Sequence, residues 1–287
     1  MALPLIRSVT DDLFTLQESV ISVSEKEEFW SASFVESSGF AISGGFASSK
    51  NQARKIATAE YIERKQFLKI RNSNQLSKLW GCDYINTACG FAAGFNRRNV
   101  IYRSLGEAAE RWVMSQWIDG GCRIERISHS QVEPELDAAS KFFCSAFDEV
   151  WFFKKIVPVQ FNHEYVLIEV GQSMGFKDGG IFPGSSAQNT GGNLWQHALL
   201  ESYRHLIGYR NNRADINRFP TNKIHFFAKN ASVAIAQIEN ATKVSWPTPV
   251  VKFHRNEAFN GGEYFIARTI IDGWESWQNG PLERFLY

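Results

Sequence analysis

Glu60-Tyr61-Ile62-Glu63-Arg64 and Glu107-Ala108-Ala109-Glu110-Arg111 write one pattern twice, and each copy follows a stretch rich in glycine and other small residues. On a helix, residues at i, i+3 and i+4 leave one face, so each copy presents two carboxylates and a guanidinium together. Small and apolar residues surround both copies: Ala57, Thr58, Ala59, Tyr61 and Ile62 the first, Leu105, Gly106, Ala108 and Ala109 the second. Charges in such surroundings are partly buried and need a partner or an ion. Paired carboxylates suit a hard divalent cation, and guanidinium suits phosphate. Because Mg²⁺ is usually shared between a few carboxylates and a nucleotide's phosphates, the pattern points to a magnesium–nucleotide site built from separate helices. A single copy would read more simply as a solvated helix face.

Working outward, strand, glycine loop and helix recur three times. Phe29 to Ile42 reads as two strands split by a turn at Glu36-Ser37-Ser38-Gly39, and Gly44-Gly45-Phe46-Ala47-Ser48-Ser49 as a flexible loop. A helix from about 51 to 70 follows, with Ser49 its cap. Residues 86 to 94 read as a strand and Asn96-Arg97-Arg98-Asn99 as a loop, before a helix over 99–118 closed by Gly120-Gly121. Residues 150–159 and 165–173 are rich in β-branched and aromatic residues and read as strands. Pro183 to Gly192 reads as a polar glycine loop opening a third helix, 193–209, which carries His197, Glu201 and Arg204. A helix over 232–239 and strands over 250–254 and 264–271 complete the chain. This alternation predicts α/β architecture, with loops gathered at one end.

Composition narrows the function. The 287 residues are 44% hydrophobic, with 23 Phe and 9 Trp, enough for a sizeable core. A net charge of +1 and a pI near 7.7 give no electrostatic case for nucleic acid or an anionic membrane. Cys82, Cys89, Cys122 and Cys144 make no zinc-like spacing, so reduced structural thiols are expected. Met1 to Arg7 lacks the apolar region of a signal peptide, and no apolar run approaches the ~18 residues of a membrane span. A soluble, cytoplasmic protein is expected. None of the glycine stretches fits a P-loop or a dinucleotide fingerprint.

With these motifs the sequence resembles the YcaO family. Gly45 to Arg54 leading into Glu60, Glu63 and Arg64 is similar to that family's first nucleotide motif. Ala88 to Gly94 leading into Glu107, Glu110 and Arg111 is similar to its second, and Pro183-Gly184-Ser185-Ser186 followed by His197 to Glu201 to its third. The resemblance runs from about residue 30 to about residue 275. It implies a single YcaO-type domain over 1–287, with residues 1–28 an N-terminal extension, and mixed sheets flanked by helices with an ATP site between helices. It also implies ATP and Mg²⁺ as cofactors. Glu60, Glu63, Glu107, Glu110 and Glu201 match metal- or nucleotide-orienting acids, Arg64 and Arg111 phosphate ligands, and Ser49 a small hydroxyl of the first loop.

Five positions depart from the pattern. Phe46 stands where many members carry lysine, Ala47 replaces a glycine, Asn99 and Tyr102 replace an acid and a glutamine, and His197 replaces an arginine. The acids being kept, metal and phosphate binding are expected to persist; the departures fall on nucleobase, ribose and substrate contacts. The activity implied is an ATP-dependent cyclodehydratase, which phosphorylates a backbone amide oxygen of a ribosomally made precursor peptide to form thiazoline or oxazoline rings. The alternatives are a thioamide-forming enzyme or a degenerate nucleotide-binding scaffold. Expected partners are the precursor peptide, a separate leader-binding protein, since no peptide-recognition segment is apparent, and a flavin dehydrogenase; homodimerisation is left open.

Overall fold

Phe14–Ser22 alternates half-buried and exposed side chains, the signature of a strand with one face on a core. It is β1 of the computed structural model, which describes residues 14–25, 27–37, 41–189, 193–211, 221–276 and 280–285. This strand lies in the stretch expected to be an N-terminal extension. The reason is its register: it pairs antiparallel with β2 (Glu28–Glu36) along its whole length. Residues 38–40, part of the expected turn, lie outside the described residues, as do 1–13, 190–192 and Tyr287.

Two compact units are present, residues 1–105 with 253–270, and 106–252 with 271–287. In the first, β3 (Ala41–Ala47) completes a sheet of order β1-β2-β3 and takes in most of the segment expected to be a flexible loop. Packing explains the difference. A side chain at Gly45 would bring Cβ within 2.0 Å of the Ala53 carbonyl oxygen, so the glycine admits the backbone of helix α1 (Lys50–Arg71) rather than making a turn. Ser49 caps α1 as expected, its hydroxyl oxygen accepting from the Gln52 amide at 3.3 Å. Ala53, Ala57, Tyr61, Ile62, Phe67 and Ile70 form the buried face of α1. A short α2 (Asn74–Leu79) follows.

The strand expected over 86–94 is confined to β4 (Phe91–Gly94), which pairs with β10 (Tyr264–Ile271) in a second sheet of order β4-β10-β9, β9 being Val251–Phe259. Helix α3 (Arg97–Ile118) begins inside the expected Asn96–Asn99 loop, because the Asn96 carboxamide oxygen accepts from the Asn99 amide at 3.0 Å and caps it. Its end is as expected: Gly121 takes a positive φ of 68°.

The second unit holds a sheet of order β5-β6-β7-β8: β5 (Arg126–Ile127), β6 (Glu149–Phe161), β7 (Glu164–Lys177) and β8 (Gly180–Asn189). Between β5 and β6 lie α4 (His129–Val132) and α5 (Ala138–Cys144). Asn162 and His163, both at positive φ, join β6 to β7 as a two-residue hairpin. β8 occupies the expected Pro183 loop. A Cβ on Gly184 would lie 2.0 Å from the Ala198 carbonyl oxygen, so this glycine too is a close-approach residue, here for α6 (Leu194–Asn211). Pro183 is tolerated because β8 is an edge strand. Helices α7 (Thr221–Phe227) and α8 (Ala231–Asn240) complete the unit. Phe147, Phe182, Leu206 and Ala228 pack in one of its buried clusters. Among the described residues no helix is long and apolar enough to cross a membrane, and all four cysteines are free.

Candidate functional site

In the first unit the acid-bearing face of α1 meets the open edge of β3. Glu60 accepts the Gly44 amide at 2.8 Å through one carboxylate oxygen and Arg64 at 3.1 Å through the other. Glu63 is buried, as the apolar flanks of the motif predicted, and Arg64 is exposed. Ser49 is exposed at the head of the helix. Phe46, at a position of departure, is buried and stacks on Phe29 with ring centroids 4.9 Å apart.

The second unit gathers more of the expected residues. Glu110 of α3 is buried; its Oε1 lies 2.9 Å from the Arg111 guanidinium and accepts the Ser185 hydroxyl at 2.7 Å. Glu201 of α6 accepts the Ser185 amide at 2.7 Å, and its Oε2 is 3.2 Å from the Ser185 hydroxyl. Ser185 therefore sits between two carboxylates delivered by different helices. Glu107 is half-buried, 4.0 Å from Arg111. His197 is exposed, one turn before Glu201. His205, one turn after it, was not singled out from sequence; its Nδ1 lies 2.7 Å from the Pro183 carbonyl oxygen.

Electrostatics separate the two carboxylates. Burial pushes Glu110 above the usual carboxylate range and Glu201 adds to the rise, against the opposing pull of Arg111 and the Ser185 hydroxyl. Burial acts on Glu201 in the same sense but is outweighed by His197, Arg111, His205 and the Ser185 amide, so its pKa is lowered. Burial lowers His205. One hydroxyl proton serves only one carboxylate at a time. When Glu110 is protonated it can donate to the Ser185 oxygen, which then donates to Glu201. The geometry thus holds two carboxyl groups of opposed pKa shift on a shared hydroxyl, beside a guanidinium. Among the described residues no three His, Cys, Asp or Glu side chains group closely enough to hold a metal by themselves.

No family model matches the sequence, and no curated protein does. The structure is similar to that of YcaO from Methanopyrus kandleri, solved bound with AMPPCP and Mg²⁺, at 12% identity and a TM-score of 0.55, covering 94% of this chain and 87% of that one. This chain has the YcaO fold. A heterocyclase solved in complex with substrate and cofactor is similar at 9% identity and a TM-score of 0.58; the match covers 96% of this chain and 52% of the heterocyclase. In this YcaO fold, Ser185 and the Gly44 amide are the partners of the motif acids that sequence reasoning missed. Their signal was present: each lies 16 residues before the glutamate that takes its amide.

Proposed function

We propose that the chain is an ATP-dependent enzyme of the YcaO type that activates a peptide backbone amide, and more narrowly a cyclodehydratase forming azoline rings in a ribosomally made precursor. The observation that carries this reading is Ser185 holding Glu110 and Glu201 together beside Arg111. The residues fit a magnesium nucleotide. Their ligand groups are carboxylate oxygens, a hydroxyl and a guanidinium, and burial together with the neighbouring Glu201 raises the Glu110 pKa, a rise that a bound cation would oppose. Two carboxylates meeting on one hydroxyl suit a Mg²⁺ whose remaining ligands are phosphate oxygens and water. The solved relative's AMPPCP and Mg²⁺ agree with this chemistry.

When bound, Mg²⁺–ATP would supply the phosphoryl group that turns an amide oxygen into a leaving group. Glu110 and Glu201 would hold the cation, Arg111 would bind phosphate, and Ser185 would orient both carboxylates. Glu60, Glu63, Arg64, Glu107 and Ser49 are assigned to nucleotide or metal on the motif match, and His197 to charge near Glu201. The peptide and a separate leader-binding protein are the proposed partners. Incubating the chain with ATP, Mg²⁺ and a candidate precursor tests this: ADP and phosphate should form while the peptide loses one water per ring. AMP with pyrophosphate, or ATP loss without a change in peptide mass, would overturn the cyclodehydratase reading.

A further inference from the structure

Gln172 lies in the middle of β7, 1% exposed, and neither its carboxamide nitrogen nor its oxygen has a hydrogen-bond partner among the described residues. A carboxamide donates through its NH2 and accepts through its oxygen. Leaving both ends bare in a buried position is costly, and an apolar residue of similar length would avoid the cost. Such local conflicts are characteristic of functional positions.

Its neighbours say what the group is for. Gln172 pairs in register with Phe153 on β6 and with Ser185 on β8, so the three side chains form a row on one face of the sheet. Helix α3 covers both ends of that row. Trp117 packs on Phe153 with ring centroids 4.8 Å apart, and Glu110 accepts the Ser185 hydroxyl. Gln172 therefore stands beside the hydroxyl that joins the two carboxylates.

We propose that Gln172 is a further binding residue of this site, its NH2 donating to a phosphate oxygen of the bound nucleotide. The assignment rests on the function proposed above. It accounts for the bare carboxamide: the partner is the ligand, and a neutral donor to an anionic oxygen makes a strong hydrogen bond at no cost in extra charge.

Gln172→Met keeps length and removes both polar ends. Calorimetric titration of the full chain with Mg²⁺ and AMPPCP, paired with thermal unfolding of the ligand-free protein, gives the test. The expected result is binding weakened about tenfold or more, with a Tm equal to or above that of the parent. Gln172→Glu should weaken binding further, by setting a negative charge against phosphate. Unchanged affinity in Gln172→Met overturns the assignment alone. Weaker binding with a lower Tm overturns it too, because an internal partner would then have been lost. If the unaltered chain fails to bind the probe, the proposed function and this assignment fall together.

Discussion

Glu201 accepts the backbone amide of Ser185, 16 residues before it, at 2.7 Å, reaching around the outer edge of β8. Glu60 repeats the relation in the other unit, accepting the Gly44 amide at the edge of β3 across the same interval of 16 residues. In each case a glycine next to that amide, Gly184 or Gly45, lets the helix backbone approach the strand closely enough for the carboxylate to reach.

Ser185→Ala removes the hydroxyl and keeps the amide. Glu110 loses a buried hydrogen bond, so unfolding free energy should fall by about 1–3 kcal/mol and Mg²⁺–ATP binding should weaken. Urea titration and calorimetry check this, and parent-like values in both would refute the bridging role.

Gly184→Ala and Gly45→Ala should each destabilise their unit by about 3 kcal/mol or more, because the added methyl meets a helix carbonyl oxygen with no room to move. Soluble yield and thermal unfolding report this. A stable Gly184→Ala protein would show that the close approach of α6 to β8 is not required.

Glu110→Gln should abolish turnover or strongly weaken nucleotide binding while leaving the fold intact, and so should Glu63→Gln. Circular dichroism controls for folding. Turnover unchanged in both variants would remove the motif acids from the site.

The opposed pKa shifts give a pH signature. Glu110 keeps its proton to higher pH in the fold than in the unfolded chain. The stability it contributes is present below the unfolded carboxylate range and lost as pH rises through its folded value. Glu201 is shifted down, so its contribution is present above the unfolded range and lost as pH falls through its folded value. Glu110→Gln should therefore lose less stability than the parent as pH rises from mildly acidic to neutral. Metal binding needs an ionised Glu110, so binding to the parent should release protons, read as a dependence of the calorimetric heat on buffer ionisation enthalpy. Equal stability slopes together with no proton release would contradict the assigned shifts.

His197 faces solvent and pulls Glu201 toward its ionised form. His197→Arg supplies a permanent charge there and should preserve or raise turnover, whereas His197→Ala should lower it. The reverse order, measured by phosphate release, would place His197 outside the phosphate site.

Helices were the legible part of the sequence. Ser49, the small buried face of α1 and Gly121 behind α3 are local signals, and local signals survive folding. The acids at 60, 63, 107 and 110 stand out in the sequence because their spacing repeats, and Glu201 because it too follows a glycine stretch; of these, the structure brings Glu110 and Glu201 onto one hydroxyl. β3 and β8 were misread as loops because Gly44, Gly45, Pro183 and Gly184 have turn composition. Their meaning depends on which helix backbone lies against them, and no local pattern carries that. β1 alternates plainly within the stretch expected to be an extension, and its pairing with β2 joins it to the first sheet. Gln172 and Ser185 escaped notice as members of the site because their relation to each other and to Glu110 is one of strand register, set by residues far apart in the chain.

The glutamate-to-edge contacts carry one more consequence. A strand at the rim of a sheet is a template on which another chain can add itself, and proteins must blunt it to avoid aggregation. Glu60 and Glu201 each cover an amide at such a rim. Any ligand that draws either carboxylate away would bare that amide while it is bound, and a substitution there would bare it permanently. At half-buried Gly44 the bared amide would be open to an added strand, whereas at buried Ser185 it would be an unsatisfied donor inside the fold, so loss of Glu201 should cost stability instead.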